Sequence, residues 1–238
     1  QRAEPPPELI AQFPRVKQLM QAFGVPIFEL EGWEADDAIG SICRQAEDQG
    51  VDTVILTGDR DTFQLISPRV RVDMFHSIQG RKVYDEAELE ARYFGLTAAQ
   101  QPDFKALMGD ASDNIPGVPR VGEKRAIGLL TEFHDLEGIF EHLEDVKPPS
   151  VKESLAQNRE RAFDNRILTT IDREAPVELS LENCRWGEFD RQVVVDLLTE
   201  LEFYSVIQRI PAPRSAGPLF EPGVPEVVSP APSDADYQ

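Results

Sequence analysis

The apolar period of this chain changes once along its length, and that change limits the folds open to it. Up to about residue 85, helix-like and strand-like segments alternate. Residues 10–23 repeat apolar side chains at helical spacing, 25–30 are short and apolar, and 34–49 read as a helix that stops at Gly50. Residues 51–57 (VDTVILT) then read as a buried strand running into Gly58, and 70–75 (VRVDMF) as another. Strand, helix and strand in this order predict a parallel α/β sheet. From Asp85 onward the signals are helical, over 86–94, 101–108, 123–133, 136–143, 151–169 and 192–203. The chain is therefore expected to fold as an α/β part over 1–95 and a helical lobe over 96–210. Residues 211–238 hold 7 of the 19 prolines and show no apolar periodicity, the composition of a flexible linker. No repeat of solenoid length is present.

Charge narrows the partners. With 238 residues, of which 41% are hydrophobic, the chain can bury a real core. Its 24 Lys and Arg against 43 Asp and Glu give a net charge of -19, which excludes a generally basic surface for nucleic acid or anionic membrane. Any contact with DNA has to be local. Two cysteines, Cys43 and Cys184, make neither a disulfide framework nor a thiolate zinc site, so a reducing, cytoplasmic setting is expected. No run approaches the ~20 apolar residues of a membrane span, and no membrane partner is expected.

Three acidic clusters fall where elements start or stop. Glu34, Asp36 and Asp37 open the helix over 34–49; Asp59 and Asp61 lie just past the carboxyl end of 51–57, where open α/β sheets place ligands; Asp110 and Asp113 sit in a turn before a Gly/Pro-rich stretch. Each has an ordinary reading, as helix-dipole partners, N-caps or turn residues. Together they are harder to dismiss, because seven carboxylates converging at one sheet edge repel one another unless cations hold them. Oxygen ligands, with the three histidines His76, His134 and His142 scattered, point to Mg²⁺ or Mn²⁺. Two such ions about 4 Å apart can activate water and steady a leaving oxygen in phosphodiester hydrolysis. No nucleophile–base triad is apparent.

The most specific stretch is IPGVPRVGEKRA, residues 115–126. A Gly-rich turn feeding a helix N-terminus presents backbone N–H groups to a phosphate, and Lys124 and Arg125 add positive charge there. Such a contact reads backbone and not base sequence.

In the order GWEADDAIG, TGDRDTFQLI, ALMGDASDNIPGVP and VGEKRA, the chain resembles the 5′-3′ exonuclease (flap endonuclease) domain of bacterial DNA polymerase I, from about Arg2 to about Ile210. The resemblance implies a PIN-like (Rossmann-like) parallel sheet followed by an all-helical lobe carrying a helix-hairpin-helix (helix-three-turn-helix) motif. It implies a metal-dependent 5′-3′ exonuclease or structure-specific 5′-flap endonuclease that hydrolyses DNA during replication and repair. Asp36, Asp37, Asp59, Asp61, Asp110 and Asp113 would be catalytic and, with Glu34, would hold two divalent ions. Gly117, Val118, Arg120, Gly122, Lys124 and Arg125 would grip a nicked, gapped or flapped duplex, with a K⁺ at the hairpin. The parent would be a monomer with this domain covalently joined to polymerase domains through the Pro-rich linker. The family's first metal-binding strand and basic arch have no counterpart after Gln1, so a sheet incomplete at its N-terminus is expected, and a catalytically incomplete duplex-binding fragment is the alternative. A PIN-type ribonuclease shares the acidic site but not the hairpin. Arg120 stands where the family's hairpin has its first glycine; it either takes a positive φ at some cost or reshapes the turn, and its guanidinium adds a phosphate contact.

Overall fold

The fold is that of a computed structural model, which describes residues 6–76 and 80–210; the linker expected over 211–238 lies outside them. The chain forms two compact units. One comprises residues up to Ala11 and Ile27–Cys184, and the other comprises Gln12–Pro26 with the residues from Arg185 onward.

In the first unit a short α1 (Pro7–Ile10) precedes the rest. In the second, α2 (Phe13–Ala22) contacts a later helix described below. The helix α3 (Ala35–Asp48) starts at its N-cap Glu34 with Asp36 and Asp37 in its first turn. It ends as the sequence predicts: Gly50 takes φ 72, its N–H donates to Glu47 O, and Val51 N–H reaches back to Ala46 O. That pair of bonds is a Schellman cap, which needs a residue tolerant of the left-handed region at Gly50. The buried face of α3 carries Ala38, Gly40, Ser41, Cys43 and Ala46. Small residues let the segment after Thr170 lie close, since a Cβ on Gly40 would sit 2.8 Å from Ile171 Cγ2. That irregular segment is tied to α3 by side chains standing in for a ladder. Ala175 N–H donates to Ser41 Oγ at 2.8 Å, and Gln45 both donates to Val177 O at 2.8 Å and accepts from Leu179 N–H at 2.9 Å.

The sheet has the order β1-β2-β3, with β1 (Thr53–Thr57) parallel to β2 (Val70–His76) and β2 antiparallel to β3 (Gly80–Tyr84). The parallel pair is the one expected, with Thr53 opposite Val70 and Thr57 opposite Met74. The third strand is an addition, hidden in the sequence because only Val83 and Tyr84 of Gly80–Tyr84 are apolar. Two strand expectations need correction. Residues 25–30 form no strand, because no described strand offers them a partner and Pro26 has no N–H to donate. Residues 51–57 are buried on one face only: Ile55 is 5% exposed, whereas Val54 and Leu56 are 60% and 69% exposed. On the covered face Val70, Val72 and Met74 of β2 are fully buried against Phe63 and Leu65, which come from a 3₁₀ turn (Arg60–Leu65) in the crossover.

Helices follow: α4 (Glu86–Arg92), capped by Asp85, and α5 (Gln101–Met108). The helix α5 is followed by a two-residue ladder of β4 (Gly109–Asp110) with β5 (Ile115–Pro116), a small exception to an all-helical lobe. Then come α6 (Glu123–Phe133) and α7 (Leu136–Glu141), followed by α8 (Pro149–Gln157) and α9 (Arg159–Thr169). The helix expected over 151–169 is thus broken at Asn158, whose N–H and side-chain Nδ2 both donate to Ser154 O and so close the end of α8. The core runs through α5, α6, α7 and α9, with Leu107, Leu130, Leu136 and Ile139 fully buried. Asn165 of α9 donates from one amide to Ala106 O at 3.1 Å and Pro116 O at 2.9 Å, which locks α9 to both sides of the β4–β5 turn.

In the second unit α10 (Arg191–Glu200) packs on α2, with α11 (Tyr204–Ile207) after it. Phe23 meets Phe189 edge-on at 5.2 Å, and Trp186 Nε1 donates to Phe23 O at 2.9 Å. Nothing in the sequence spacing announces this pairing of residues more than 160 apart.

Two glycines face each other where α5 gives way to β4. A Cβ on Gly117 would lie 2.2 Å from Met108 O, and Gly109, at φ 80, would place one 2.3 Å from Gly117 N. Gly117→Ala is expected to lower unfolding free energy by about 2 kcal/mol or more, because backbone would have to move. Gly128→Ala, exposed within α6 with nothing within 4 Å of the new Cβ, is expected to raise it by about 0.5–1 kcal/mol. Urea unfolding of the two variants checks both signs.

Candidate metal centre

The seven acids predicted from the sequence come to one place by three routes. The helix α3 presents Glu34, Asp36 and Asp37 at its N-terminus; the end of β1 presents Asp59 and Asp61; β4 and its turn present Asp110 and Asp113. They line two adjoining cavities of about 1000 Å³ and 430 Å³ that share Asp59 and Asp61. The tightest group is Asp61, Asp110 and Asp113, whose nearest carboxylate oxygens all lie within 4.8 Å of one another.

Their local duties differ. Asp37 closes a capping box, accepting Glu34 N–H at 3.2 Å on one oxygen, and takes Asp172 N–H at 2.9 Å on the other. The ordinary capping role therefore holds for Asp37, and both oxygens already carry a backbone donor. Asp59 caps the 3₁₀ turn by accepting Asp61 N–H at 3.0 Å, while its own N–H donates to Thr57 Oγ1. Asp36 is half-buried and accepts no hydrogen bond found among the described residues. Burial, then the charges of Asp59, Asp61, Glu34 and Asp37, push its carboxyl up to about 6.

Lys105 is the residue the sequence reading missed. From α5 its Nζ reaches Asp110 Oδ2 at 2.6 Å and bonds Asp61 Oδ1 as well. Burial works to raise Asp110, but the bonds from Lys105 and from the N–H and hydroxyl of Ser112 outweigh it and hold that carboxyl at about 2. At Asp61 burial wins over the same lysine, and the carboxyl stays above its ordinary range. A signal was available, since Lys105 is the one cation between Gln101 and Asn114. It lies on an otherwise apolar stretch of α5 leading into Gly109-Asp110. Ser112, two residues past Asp110, has the spacing of a side chain that bonds a preceding Asp.

The hairpin side chains divide. Arg120, Lys124 and Arg125 are exposed, and Gly122 is the N-cap of α6 with Lys124 and Arg125 in the first turn. Arg120 takes φ 68, so the non-glycine residue accepts the left-handed region instead of reshaping the turn, and Arg125 donates to its carbonyl. Gly117 is held in the crossing at Gly109. Val118 is 2% exposed, its N–H donates to Leu107 O and its carbonyl accepts Val121 N–H, so its side chain lies in the core and its backbone serves the turn.

Comparison with known proteins is consistent over the whole described chain. Residues 1–94 match the 5′-3′ exonuclease N-terminal resolvase-like domain, and 96–192 match the 5′-3′ exonuclease C-terminal SAM fold. The DNA polymerase I of Chloroflexus aurantiacus is 44% identical over 226 residues, 92% of this chain and 24% of the relative, and that of Bacillus caldotenax is 43% identical over 215 residues, 90% and 24%. The chain spans about a quarter of the length of these curated relatives. Among solved structures, T5 5′-exonuclease with bound zinc matches at TM-score 0.60 and 25% identity, covering 88% of this chain and 73% of that one. The catalytic core of Rad2 in complex with a DNA substrate matches at TM-score 0.57 over 83% of this chain and 65% of that one, and at 18% identity it shares the fold. Among the described residues no helix is long and apolar enough to cross a membrane.

Asp36 gives a pH signature to the metal-free chain. Its carboxyl stays protonated to about pH 6 when folded but ionises near its ordinary 3.8 when unfolded, so between pH 4 and 6 the unfolded state loses a proton that the folded state keeps, and stability falls as pH rises. Asp36→Asn, measured by thermal melting in chelator, is expected to gain about 1 kcal/mol over the parent across that window, the linkage value discounted for partial exposure. A difference constant with pH would contradict the assignment.

Proposed function

The chain belongs to the 5′-3′ exonuclease family, with its resolvase-like domain and its SAM fold both represented, and from that membership we propose that it hydrolyses DNA phosphodiesters at the 5′ end of a nicked, gapped or flapped duplex. The observation that carries the proposal is the meeting of Asp61, Asp110 and Asp113 within 4.8 Å, in a groove that Glu34, Asp36, Asp37 and Asp59 also line.

The residues present fit divalent ions. The donors near the triple are carboxylate oxygens, the choice of Mg²⁺ or Mn²⁺, and Asp36 carries the raised affinity for a proton that a neighbouring cation would reverse. Asp61, Asp110 and Asp113 are assigned to one ion, and Asp36 and Asp59 with Glu34 and Asp37 to a second. When bound, such ions supply Lewis acidity at the scissile phosphate and lower the pKa of water. The chain's own part is to hold the oxygens in register. Asp110 is fixed by two donors from Ser112, Asp59 by Asp61 N–H, and Asp37 by two backbone N–H groups, so little rearrangement is needed when substrate arrives. No side-chain nucleophile is assigned.

At the hairpin, Gly122 and the start of α6 offer N–H groups to a phosphate, and Arg120, Lys124 and Arg125 offer charge. A K⁺ at the hairpin would share the Arg120 carbonyl with Arg125, at a place distinct from the divalent pair. Residues 1–95 are read as the nuclease part, 96–210 as the helical lobe and 211–238 as a linker; the division of the family matches between 94 and 96 supports the first boundary. The relatives, DNA polymerases I of which the chain spans about a quarter, support a chain covalently joined to polymerase domains, and a cytoplasmic monomer is the reading proposed with it.

Cleavage of a 5′-labelled flap duplex in Mn²⁺ tests the proposal. Asp110→Ala is expected to lower the rate at least about a hundredfold while duplex binding in chelator stays unchanged, and loss of both together would count against a catalytic role. Lys124→Ala should weaken duplex binding alike on all sequences and reduce the slope of log affinity against log salt by about 1, read by fluorescence anisotropy.

A further inference from the structure

Lys105 occupies the place a divalent ion needs. Its side chain is 13% exposed and lies against Asp61 and Asp110, themselves 20% and 13% exposed, and these are two of the three carboxylates that meet within 4.8 Å. Arg60 lines the same cavity but is exposed, and among the described residues it makes no ion pair with any of the seven acids. Lys105 is thus the cation inside the cluster. With no ion present, three carboxylates this close repel, and an ammonium bonded to two of them removes much of that repulsion. A divalent ion reaching for the same oxygens finds them occupied and meets a positive charge besides.

Resting on the metal reading above, we infer that Lys105 is a built-in counter-cation which holds Asp61 and Asp110 in place until a divalent ion displaces it, so that metal enters by exchange with the ammonium and the lysine sets the ion concentration the site requires. The chemistry of lysine suits such an exchange. The ammonium is a compact point charge on a four-carbon stem with rotatable bonds, and it can withdraw without unfolding α5. A lysine that merely supported the fold would affect stability alone. A lysine that exchanges with metal links stability to metal in opposite directions, because removing it weakens the metal-free state and strengthens ion binding.

The test titrates Mn²⁺ alone, without DNA, into the full chain by calorimetry, and follows melting in chelator. Lys105→Met is expected to bind Mn²⁺ roughly tenfold more tightly, equivalent to about 1.4 kcal/mol, and to melt at a lower temperature than the parent in chelator yet gain more from added Mn²⁺. Lys105→Gln is measured beside it, so that a poorly folded methionine variant does not decide the outcome. Lys105→Arg, which keeps the charge, should return affinity toward that of the parent. Equal or weaker Mn²⁺ binding by the neutral variants overturns the inference, as does an arginine variant that binds as tightly as they do. Mn²⁺ binding by none of the proteins overturns the metal reading itself, and this inference with it.

Discussion

The backbone crossing at Gly109 and Gly117 is the constraint on which both halves of the site depend. Either Cβ would lie within 2.3 Å of the opposing backbone, so this approach exists only because neither residue has one. From the crossing the chain runs two ways. Through β4 it delivers Asp110 and Asp113 to the cluster with Asp61, and through Val118, whose N–H bonds Leu107 O, it anchors the hairpin that leads into α6. Asn165 bonds Ala106 O on one side of the turn and Pro116 O on the other, so α9 fixes the same crossing from behind. Asp110, Asp113 and the hairpin are therefore set by one short piece of backbone and not by separate loops, which keeps these two carboxylates and the turn before α6 at a fixed separation.

Gathering acids has an electrostatic cost, and the chain meets it differently at each position. Asp37 is stabilised by two backbone N–H groups and Asp110 by Lys105 and Ser112, while Asp36 has only like charges around it and answers by holding its proton. The cluster is graded: one end is balanced by the protein itself, and the other waits on something brought from solution. A uniform set of seven carboxylates would give neither a stable metal-free fold nor a difference between its two ends.

Much of this was legible in the sequence because local chemistry and tertiary role coincide. Gly50 ends α3 where the helical period stops, Asp59 and Asp61 follow β1 at the sheet edge where ligands bind, and the positive φ of Arg120 is one of two outcomes open to a non-glycine at that turn. What escaped is what depends on distant partners. β3 shows no apolar alternation because only Tyr84 of its five residues is buried, Lys82 on the same face being exposed. Residues 25–30 look like a strand by composition, yet a strand is defined by a neighbour's hydrogen bonds and not by its own side chains. Val118 reads as part of a hairpin grip by its place in the motif, and only the packing of α5 and α6 shows that it belongs to the core. Lys105 is visible as a lone cation, but its partner Asp61 lies 44 residues earlier and no local pattern joins them.

The net charge of -19 and the proposed duplex partner are reconciled by range. At physiological salt the Debye length is about 8 Å, so carboxylates spread over surface helices such as α4 lose most of their repulsion on a phosphate at the hairpin, whereas Arg120, Lys124 and Arg125 act at contact distance, where screening is weak. The acids of the cluster are the exception, since the proposed hydrolysis requires them to sit close to a phosphate. Their repulsion is not screened away and has to be neutralised on the spot. Lys105 carries only part of that charge, and divalent ions are the agents of the right size and valence to carry the rest. On the proposed reading, the chain would approach nucleic acid where its own cations point outward, and act on it where borrowed cations point inward.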